Sequence, residues 1–226
     1  MNKITKPLKP DESKHIFTEG INYFETGKIS IWGTGDKKTL ELLKKEEIKG
    51  KWLNLAAGDG RYNLGLLEKA DFVVASDIDE GALSKLYHTT PRKYRNKLEI
   101  RAFDITKPFP FDDNSFDGIF SAGILHLFPT DVFRKIFSEM DRILKSKGKI
   151  IIDFATDIKR VAPDGKLTVF GDEPQYTLDE AKEVMKEVFK KYKIRIQELQ
   201  IFEEEYKEAN PPYKFSSKGV LLVAIK

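Results

Sequence analysis

A glycine turn between a strand pattern and a helix pattern is the first place in this sequence where residue types and spacing suggest chemistry. Trp52–Ala57 form an apolar run, Gly58-Asp59-Gly60 interrupt it, and helical spacing resumes at Tyr62. Glycines let the backbone approach a ligand closely, and the free N–H groups at a helix N-terminus attract negative charge. The turn therefore indicates a binding site for a nucleotide-type cofactor.

Two acids and a missing glycine narrow the choice of cofactor. A dinucleotide site would carry a third glycine where Asn63 stands, so that interpretation is weakened. Asp77 ends the second predicted strand and Asp104 follows the third. Ligands of open α/β sheets bind outside the carboxyl ends of the strands. A carboxylate at Asp77 can accept hydrogen bonds from both hydroxyls of a ribose, and Asp104 lies within reach of an adenine amino group.

The segments that must position these residues alternate between strand and helix patterns. Helices are predicted from apolar residues at helical spacing, at 37–47, 61–69, 80–87 and 131–145. Strands are predicted from short apolar runs, at 52–57, 72–76, 98–103, 116–122 and 149–155. Such runs are typical of a parallel sheet buried on both faces, and the right-handed crossover rule then gives a doubly wound α/β fold. A Lys-Ser-Lys-Gly turn at 145–148 is expected to end the last of these helices.

The residues before this alternation are expected to form an N-terminal part, 1–36, ahead of one domain at 37–226. In that part we expect a tail over 1–10, a helix capped by Asp11, and a loop over 29–36. Its aromatic residues are Phe17, Tyr23, Phe24 and Trp32. They suit either packing of the helix against the sheet or a lid that closes over cofactor and substrate.

The residues after 156 follow a different pattern. A small hairpin or lid is predicted around the turn Pro163-Asp164-Gly165. A helix is predicted to begin after Thr177, with Glu180 completing a capping box, and to end near Tyr192. Two late strands are predicted at 194–202 and 220–225, and the acidic run at 203–205 is expected to be a solvated strand end.

Composition limits the class of protein. The absence of cysteine excludes disulfides and thiolate metal sites and fits a cytoplasmic protein, and we expect no metal in the site. No apolar run approaches the roughly 18 residues of a membrane span, and the N-terminal residues lack the apolar stretch of a signal peptide. Charged residues make up 33%, with lysine far above arginine, which is typical of a thermophile.

The net charge bears on the partner. Lys and Arg total 39 against 36 for Asp and Glu, which gives a formal charge of +3. A nucleic-acid binder normally carries a stronger basic bias, so nucleic acid is not favoured, although a local basic patch would keep RNA or DNA open. The sequence does not distinguish a monomer from a homodimer.

Five segments resemble, in order, the class I S-adenosylmethionine-dependent methyltransferases. They are the glycine turn with Asp77, Asp104-Ile105, Phe109-Pro110-Phe111, Asn114–Asp117 and Ile143–Lys149. The resemblance spans about residues 50–156, and the two late strands fit the family's last two. It implies a doubly wound, mostly parallel, seven-stranded Rossmann-like sheet with helices on both faces. It also implies S-adenosylmethionine as cofactor and S-adenosylhomocysteine as product.

The resemblance further implies a set of cofactor-binding residues near the strand ends. They are Asn54, Ala56, Gly58, Gly60, Asp77, Ile78, Asp104, Ile105 and Ser121. The glycines would approach the methionine part, Asp77 the ribose, and Asp104 with Ile105 the adenine. Two positions depart from the family pattern, since Asn54 replaces an acid and Ala56 replaces a glycine. Weaker cofactor binding, or a binding protein without catalysis, therefore stays open.

Methyl transfer needs in-line attack by a nucleophile, and the leaving thioether is neutral. Proximity and orientation in a water-poor pocket can supply most of the catalysis, so no protein nucleophile is expected. An acidic thiol would need no base, whereas a hydroxyl or amine would. His126, just after the fourth strand, is the best candidate base, and a structural histidine is the alternative. His15 and His88 are expected at the surface.

Other residues are expected to contact the acceptor. Trp32 and Tyr213 are candidates for substrate binding together with His126. Asn210-Pro211-Pro212-Tyr213 matches the tetrapeptide by which amino-methylating relatives hold their substrate, but it lies between the last two strands and is expected to be a rigid turn. The chain end resembles small tellurite-resistance-type methyltransferases. This favours a small-molecule acceptor, and RNA or protein acceptors are the alternative.

Overall fold

The computed structural model describes residues 21–169, 173–207 and 212–226. The predicted tail at 1–10, most of the predicted N-terminal helix with His15 and Phe17, and Asn210-Pro211 lie outside the described residues. Tyr23–Glu25 form one 3-10 turn, and the predicted loop at 29–36 is irregular, as expected.

Helices and strands alternate along the chain as the apolar patterns predict. The helices are α1 (Lys37–Lys45), α2 (Asn63–Leu67), α3 (Glu80–Thr89), α4 (Thr130–Ile143) and α5 (Leu178–Val188). The strands are β1 (Lys51–Leu55), β2 (Phe72–Asp77), β3 (Leu98–Ala102), β4 (Phe116–Ala122), β5 (Leu144–Val161), β6 (Lys193–Tyr206) and β7 (Tyr213–Ile225). Further 3-10 turns lie at Arg92–Lys97 and Leu125–Leu127.

The strands form one seven-stranded sheet in the order β3-β2-β1-β4-β5-β7-β6. Neighbouring strands are parallel except at β7, which is antiparallel to both β5 and β6. The predicted doubly wound, mostly parallel sheet is therefore confirmed. The strand order reverses beside β1, which lies between β2 and β4, and such a reversal opens a crevice at the carboxyl edge of the sheet.

The core lies on both faces of the sheet. On one face α4 and α5 bury an apolar stripe, with Phe133 and Met140 at helical spacing on α4, against β4 and β5. On the other face α1, α2 and α3 cover Trp52 of β1 and its neighbours. This two-sided burial is why the strands of the parallel part read as continuous apolar runs.

Two predicted boundaries are wrong for local reasons. No turn at 145–148 separates α4 from the next strand: β5 begins at Leu144 and accommodates those residues in a bulge, with Lys147 at φ 64°. The helix that Thr177 and Glu180 cap ends at Val188 instead of near 192, because a tight turn follows in which Tyr192 donates to the Phe189 carbonyl.

The last three strands are longer than predicted and form an antiparallel arm. Val161 pairs with Lys214, and Tyr206 pairs with Tyr213, well beyond the apolar runs. Residues 203–206 alternate between exposed and covered positions, so this part of β6 carries no apolar run that the sequence could reveal. The predicted hairpin around Gly165 is confirmed by the bridge between Val161 and Leu167.

No helix in the part of the chain that the structure describes combines the length and the apolar character needed to cross a membrane.

Candidate functional site

A cavity of about 220 Å³ opens at the carboxyl edge of β1, β2, β4 and β5, where the strand order reverses. The arm formed by β5, β6 and β7 makes its far wall. The predicted site residues that line the cavity are Trp32, Asn54, Ala56, Gly58, Asp77, His126 and Tyr213. The sheet topology thus brings residues distant in sequence to one crevice.

The glycine turn after β1 has an unusual backbone. Ala56 has φ 55° and Gly58 has φ 54°, both in the left-handed region that favours glycine. A side chain at Gly58 would meet the Trp32 indole at 3.4 Å, so the Gly58 backbone is covered on one side by that ring. Ala56 holds the same strained conformation although it carries a Cβ, which stores local strain at the cavity wall.

Gly60 has a different reason to be glycine. Its φ is 98°, and a Cβ there would approach the Leu86 side chain to 2.9 Å. Gly60 therefore allows α3 to pack closely against the turn, and it does not line the cavity. Its predicted contact with a cofactor stays a prediction.

Asp77 ends β2 beside the glycine turn. Its carboxylate accepts hydrogen bonds from the backbone N–H of Gly58 at 2.8 Å and of Asp79 at 3.0 Å. Burial raises the pKa of Asp77 to about 6, and the two N–H donors oppose that rise. The carboxylate also lines the cavity, where its remaining lone pairs can accept hydrogen bonds from hydroxyl groups.

Asn54 is held by a buried partner on α2. Its side-chain amide donates to the Asn63 carbonyl oxygen at 3.1 Å, and both residues are 2% exposed. No donor from the described residues reaches the carbonyl oxygen of the Asn54 side chain. Asn63, which stands where a dinucleotide site would have glycine, thus orients Asn54 in the cavity wall.

Besides Gly60, four predicted cofactor residues do not line the cavity. Asp104 binds its own loop, since it accepts from the Thr106 N–H at 2.8 Å and hydroxyl at 2.7 Å. Ile105 packs into the hydrophobic core, and Ser121 is fully buried in β4, where its hydroxyl has no hydrogen-bond partner among the described residues. These roles, like that of Ile78, stay predictions.

The segment before α1 is tied across the glycine turn by Asp59. The Asp59 carboxylate accepts from the Ser30 hydroxyl and the Ile31 N–H and forms a buried ion pair with Lys85 at 2.8 Å. Lys85 also donates to the Ile29 carbonyl at 2.9 Å. These hydrogen bonds and this ion pair hold Trp32 over the glycine turn, where a lid would lie.

Aromatic side chains of the β6–β7 arm line one half of the cavity, the aromatic half, and Trp32 extends this cluster from the glycine turn beside Asp77. Trp32 meets Tyr206 edge-on at 5.4 Å, and Tyr206 meets Tyr213 at 5.3 Å. The Arg160 guanidinium lies 5.5 Å from the centre of the Phe215 ring. The extended pairing of β7 with β5 and β6 brings Arg160, Tyr206 and Phe215 to the cavity. Sequence reasoning therefore found Trp32 and Tyr213 but missed these three residues.

His126 lines this aromatic half beside the buried charges of Arg160 and Glu173. It is 4% exposed, its Nδ1 has no hydrogen-bond partner among the described residues, and its Nε2 lies 3.9 Å from Glu173. Glu173 instead forms a two-point ion pair with Arg160, at 2.6 and 3.0 Å. Burial and the Arg160 charge lower the pKa of His126 to about 3, so the imidazole is neutral.

Asp153 of β5 lines the cavity together with Asp36, Asp77 and Asp79, and sequence reasoning missed it inside an apolar strand. Its Oδ2 accepts from the Thr39 hydroxyl at 2.7 Å and lies 3.5 Å from the Tyr62 hydroxyl. Burial raises the pKa of Asp153 to about 6. Arg61 lines the cavity nearby and donates to the Trp32 carbonyl at 2.7 Å. No group of three or more metal-ligating side chains occurs in the described ranges.

Comparison with known proteins identifies the central part of the chain. Residues 53–152 match the family model of the methyltransferase domain. The demethylmenaquinone methyltransferase of Clavibacter sepedonicus is 29% identical over 148 residues, which cover 65% of this chain and 56% of that protein. The chain thus spans little more than half the length of the curated relatives that it matches.

Solved structures share the fold. A methyltransferase from Methanosarcina mazei superimposes with a TM-score of 0.62 at 16% identity, over 85% of this chain and 99% of that one. The complex of DhpI with S-adenosylhomocysteine superimposes with a TM-score of 0.55 at 20% identity, over 79% of this chain and 80% of that one. At identities of 16–20%, the likeness shows a shared fold alone.

Proposed function

Since the chain carries a class I S-adenosylmethionine-dependent methyltransferase domain, we propose that it binds this cofactor at the glycine turn and methylates a small molecule in the aromatic half of the cavity. The observation that carries the proposal is the Asp77 carboxylate, held beside the Gly58 backbone and facing the cavity. The two oxygens of this carboxylate can accept hydrogen bonds from the two hydroxyls of a ribose.

The residues of the cavity wall fit the rest of the cofactor. The Asn54 carbonyl oxygen, which no described donor satisfies, suits the ammonium of the methionine part. Trp32 covers the turn and restricts access of water, in keeping with catalysis by orientation. When bound, S-adenosylmethionine supplies a methyl group on a positively charged sulfur. The chain's own residues orient the acceptor against it.

Several features support a small acceptor. The far half of the cavity is enclosed by Trp32, Tyr206 and Tyr213, which suits a flat or apolar molecule more than a polymer. The relative from Clavibacter sepedonicus is named for a small-molecule reaction. We assign Trp32 and Tyr213 to the walls of the acceptor site. His126, neutral and with Nδ1 unpartnered among the described residues, suits a hydrogen bond to the acceptor.

Calorimetric titration with S-adenosylhomocysteine tests the cofactor assignment. The comparison uses the wild type, Asp77→Ala and the matched control Asp71→Ala, whose carboxylate lies before β2 at the opposite edge of the sheet. Loss of charged hydrogen bonds worth about 1.5–3 kcal/mol should weaken binding about 10- to 100-fold in Asp77→Ala alone. Equal affinity of the three proteins, or binding of NADH in place of S-adenosylhomocysteine, would overturn the proposal.

A further inference from the structure

We propose that Asp153 accepts the proton of the methyl acceptor, and that the acceptor is therefore a nucleophile that carries a proton when it binds: a hydroxyl, a phenol or an amine. The inference rests on the proposed function. It adds a base that the sequence did not suggest and narrows the chemical class of the substrate.

The placement of Asp153 comes first. Its Cα pairs with that of Ala122, the last residue of β4, so it lies at the carboxyl edge of the sheet where the cavity opens. This position is on the acceptor side of β1, two strands away from Asn54. A side chain there lines the cavity where a substrate would sit and is distant from the Asp77 end of the site.

Only one oxygen of the Asp153 carboxyl accepts hydrogen bonds from the described residues. Thr39 and Tyr62 both reach Oδ2, and within the described ranges no donor reaches Oδ1. Buried carboxylates with a purely structural role normally have both oxygens satisfied. Thr39 is fully buried and fixed on α1, so it orients the carboxyl and leaves Oδ1 available to a ligand in the cavity.

The charges around Asp153 suit a proton acceptor at neutral pH. Burial is the main effect that favours the protonated form, and the Asp36 charge adds to it. Arg61, with the Thr39 and Tyr62 hydroxyls, acts in the opposite direction, and the pKa settles at about 6. A base is most effective when its pKa lies near the working pH, whereas His126, with a pKa of about 3, is a weak base.

The step balances without a further reactant. The lone pair of the acceptor forms the bond to the methyl carbon, the carbon–sulfur bond breaks, and its electron pair remains on the sulfur. The acceptor's proton passes to Oδ1 of Asp153. Thr39 keeps its hydrogen bond to Oδ2 throughout, so the carboxyl does not rotate as it becomes neutral.

A panel of methyl acceptors tests the proposal on the full chain. Phenol, catechol and aniline represent proton-bearing nucleophiles, and thiophenol and benzoate represent acceptors that are largely ionised near neutral pH. Rates with labelled S-adenosylmethionine are compared for the wild type, Asp153→Asn and the control Asp112→Asn, an exposed carboxyl before β4 at the other edge of the sheet. A general base contributes about 10²–10⁴-fold, so we expect Asp153→Asn to lose at least about 100-fold on the first group. The wild-type rate should rise with pH near pH 6, where Asp153 ionises, and this rise should be absent in Asp153→Asn.

Binding measurements separate this proposal from the cofactor assignment. All three proteins should bind S-adenosylhomocysteine within about twofold of one another, because Asp153 lies on the acceptor side. In that complex, phenol and aniline should shift the carbon-13 resonance of the Asp153 carboxyl. Failure of the wild type to bind S-adenosylhomocysteine overturns the proposed function. With that binding intact, the Asp153 assignment is overturned by equal rates in Asp153→Asn, by preference for thiophenol or benzoate, or by a complex to which neither phenol nor aniline binds.

Discussion

Replacing Asp153 by asparagine is expected to stabilise the fold at alkaline pH, because the native carboxyl must ionise in a buried place. Its pKa rises from 3.8 to about 6 on folding. At 1.36 kcal/mol per pKa unit, this difference corresponds to about 3 kcal/mol of lost stability once the pH exceeds both values. Contact with water in the cavity reduces the expected gain in Asp153→Asn to about 1–3 kcal/mol.

The sign of the pH dependence follows from the raised pKa. The folded state holds the proton more tightly than the unfolded state, so the wild type loses stability as the pH rises from 3.8 to about 6. Below that range the carboxyl is protonated in both states and resembles an amide. Asparagine can keep its carbonyl oxygen toward Thr39 and Tyr62, so the existing hydrogen bonds remain.

Urea denaturation of the wild type, Asp153→Asn and Asp112→Asn at about pH 4 and about pH 8 provides the assay. We expect the free energy of unfolding of Asp153→Asn to exceed that of the wild type at about pH 8 only. The Asp112→Asn control should have the same free energy of unfolding as the wild type at both pH values. Thermal unfolding should show the same order, at about 2–4 °C per kcal/mol for a chain of this size. A variant less stable than the wild type at about pH 8 would refute the reasoning, since it would mean that Arg61 stabilises the charged form more than burial destabilises it.

Three further predictions concern neighbouring features. Ala56→Gly should stabilise the protein by about 0.5–1 kcal/mol in urea denaturation, because Ala56 has φ 55°, and an unchanged or lower stability would show that the turn is unstrained. Asp59→Ala should cost about 3–5 kcal/mol, because it leaves Lys85 buried without its carboxylate, and limited proteolysis should cut residues 29–33 faster than in the wild type. Wild-type proteolysis rates in that variant would contradict the role of Asp59 in holding the segment. His126 should remain neutral above about pH 5 in nitrogen-15 NMR spectra, since its pKa is about 3, and a titration near its ordinary value of 6.5 would contradict its burial beside Arg160.

Much of the fold could be predicted because its strands are buried on both faces. Runs such as 150–152 are apolar throughout, and helix α4 shows a clear apolar stripe, so both patterns are readable locally. The capping box of Thr177 and Glu180 is equally local. The extension of β5, β6 and β7 beyond their predicted apolar runs was missed because these residues alternate between covered and exposed positions and are ordered by long-range pairing.

The candidate site divides in the same way. Asp77 was predictable because it ends an apolar strand beside a glycine turn. Asp153 and Arg160 were not, since the first interrupts an apolar strand and the second lies in a polar segment, and only the tertiary fold brings them to the cavity. Gly60 differs again: the sequence suggested a contact with the cofactor, which stays a prediction, and the structure adds a packing reason for glycine, the close approach of Leu86.

A crystal structure of the protein with S-adenosylhomocysteine tests the proposed cofactor site most directly. We expect both ribose hydroxyls to lie within hydrogen-bonding distance of the Asp77 carboxylate. The ammonium of the methionine part should lie beside the Asn54 carbonyl oxygen. A ligand bound away from Asp77, or with its methionine part directed away from Asn54, would contradict the proposed site.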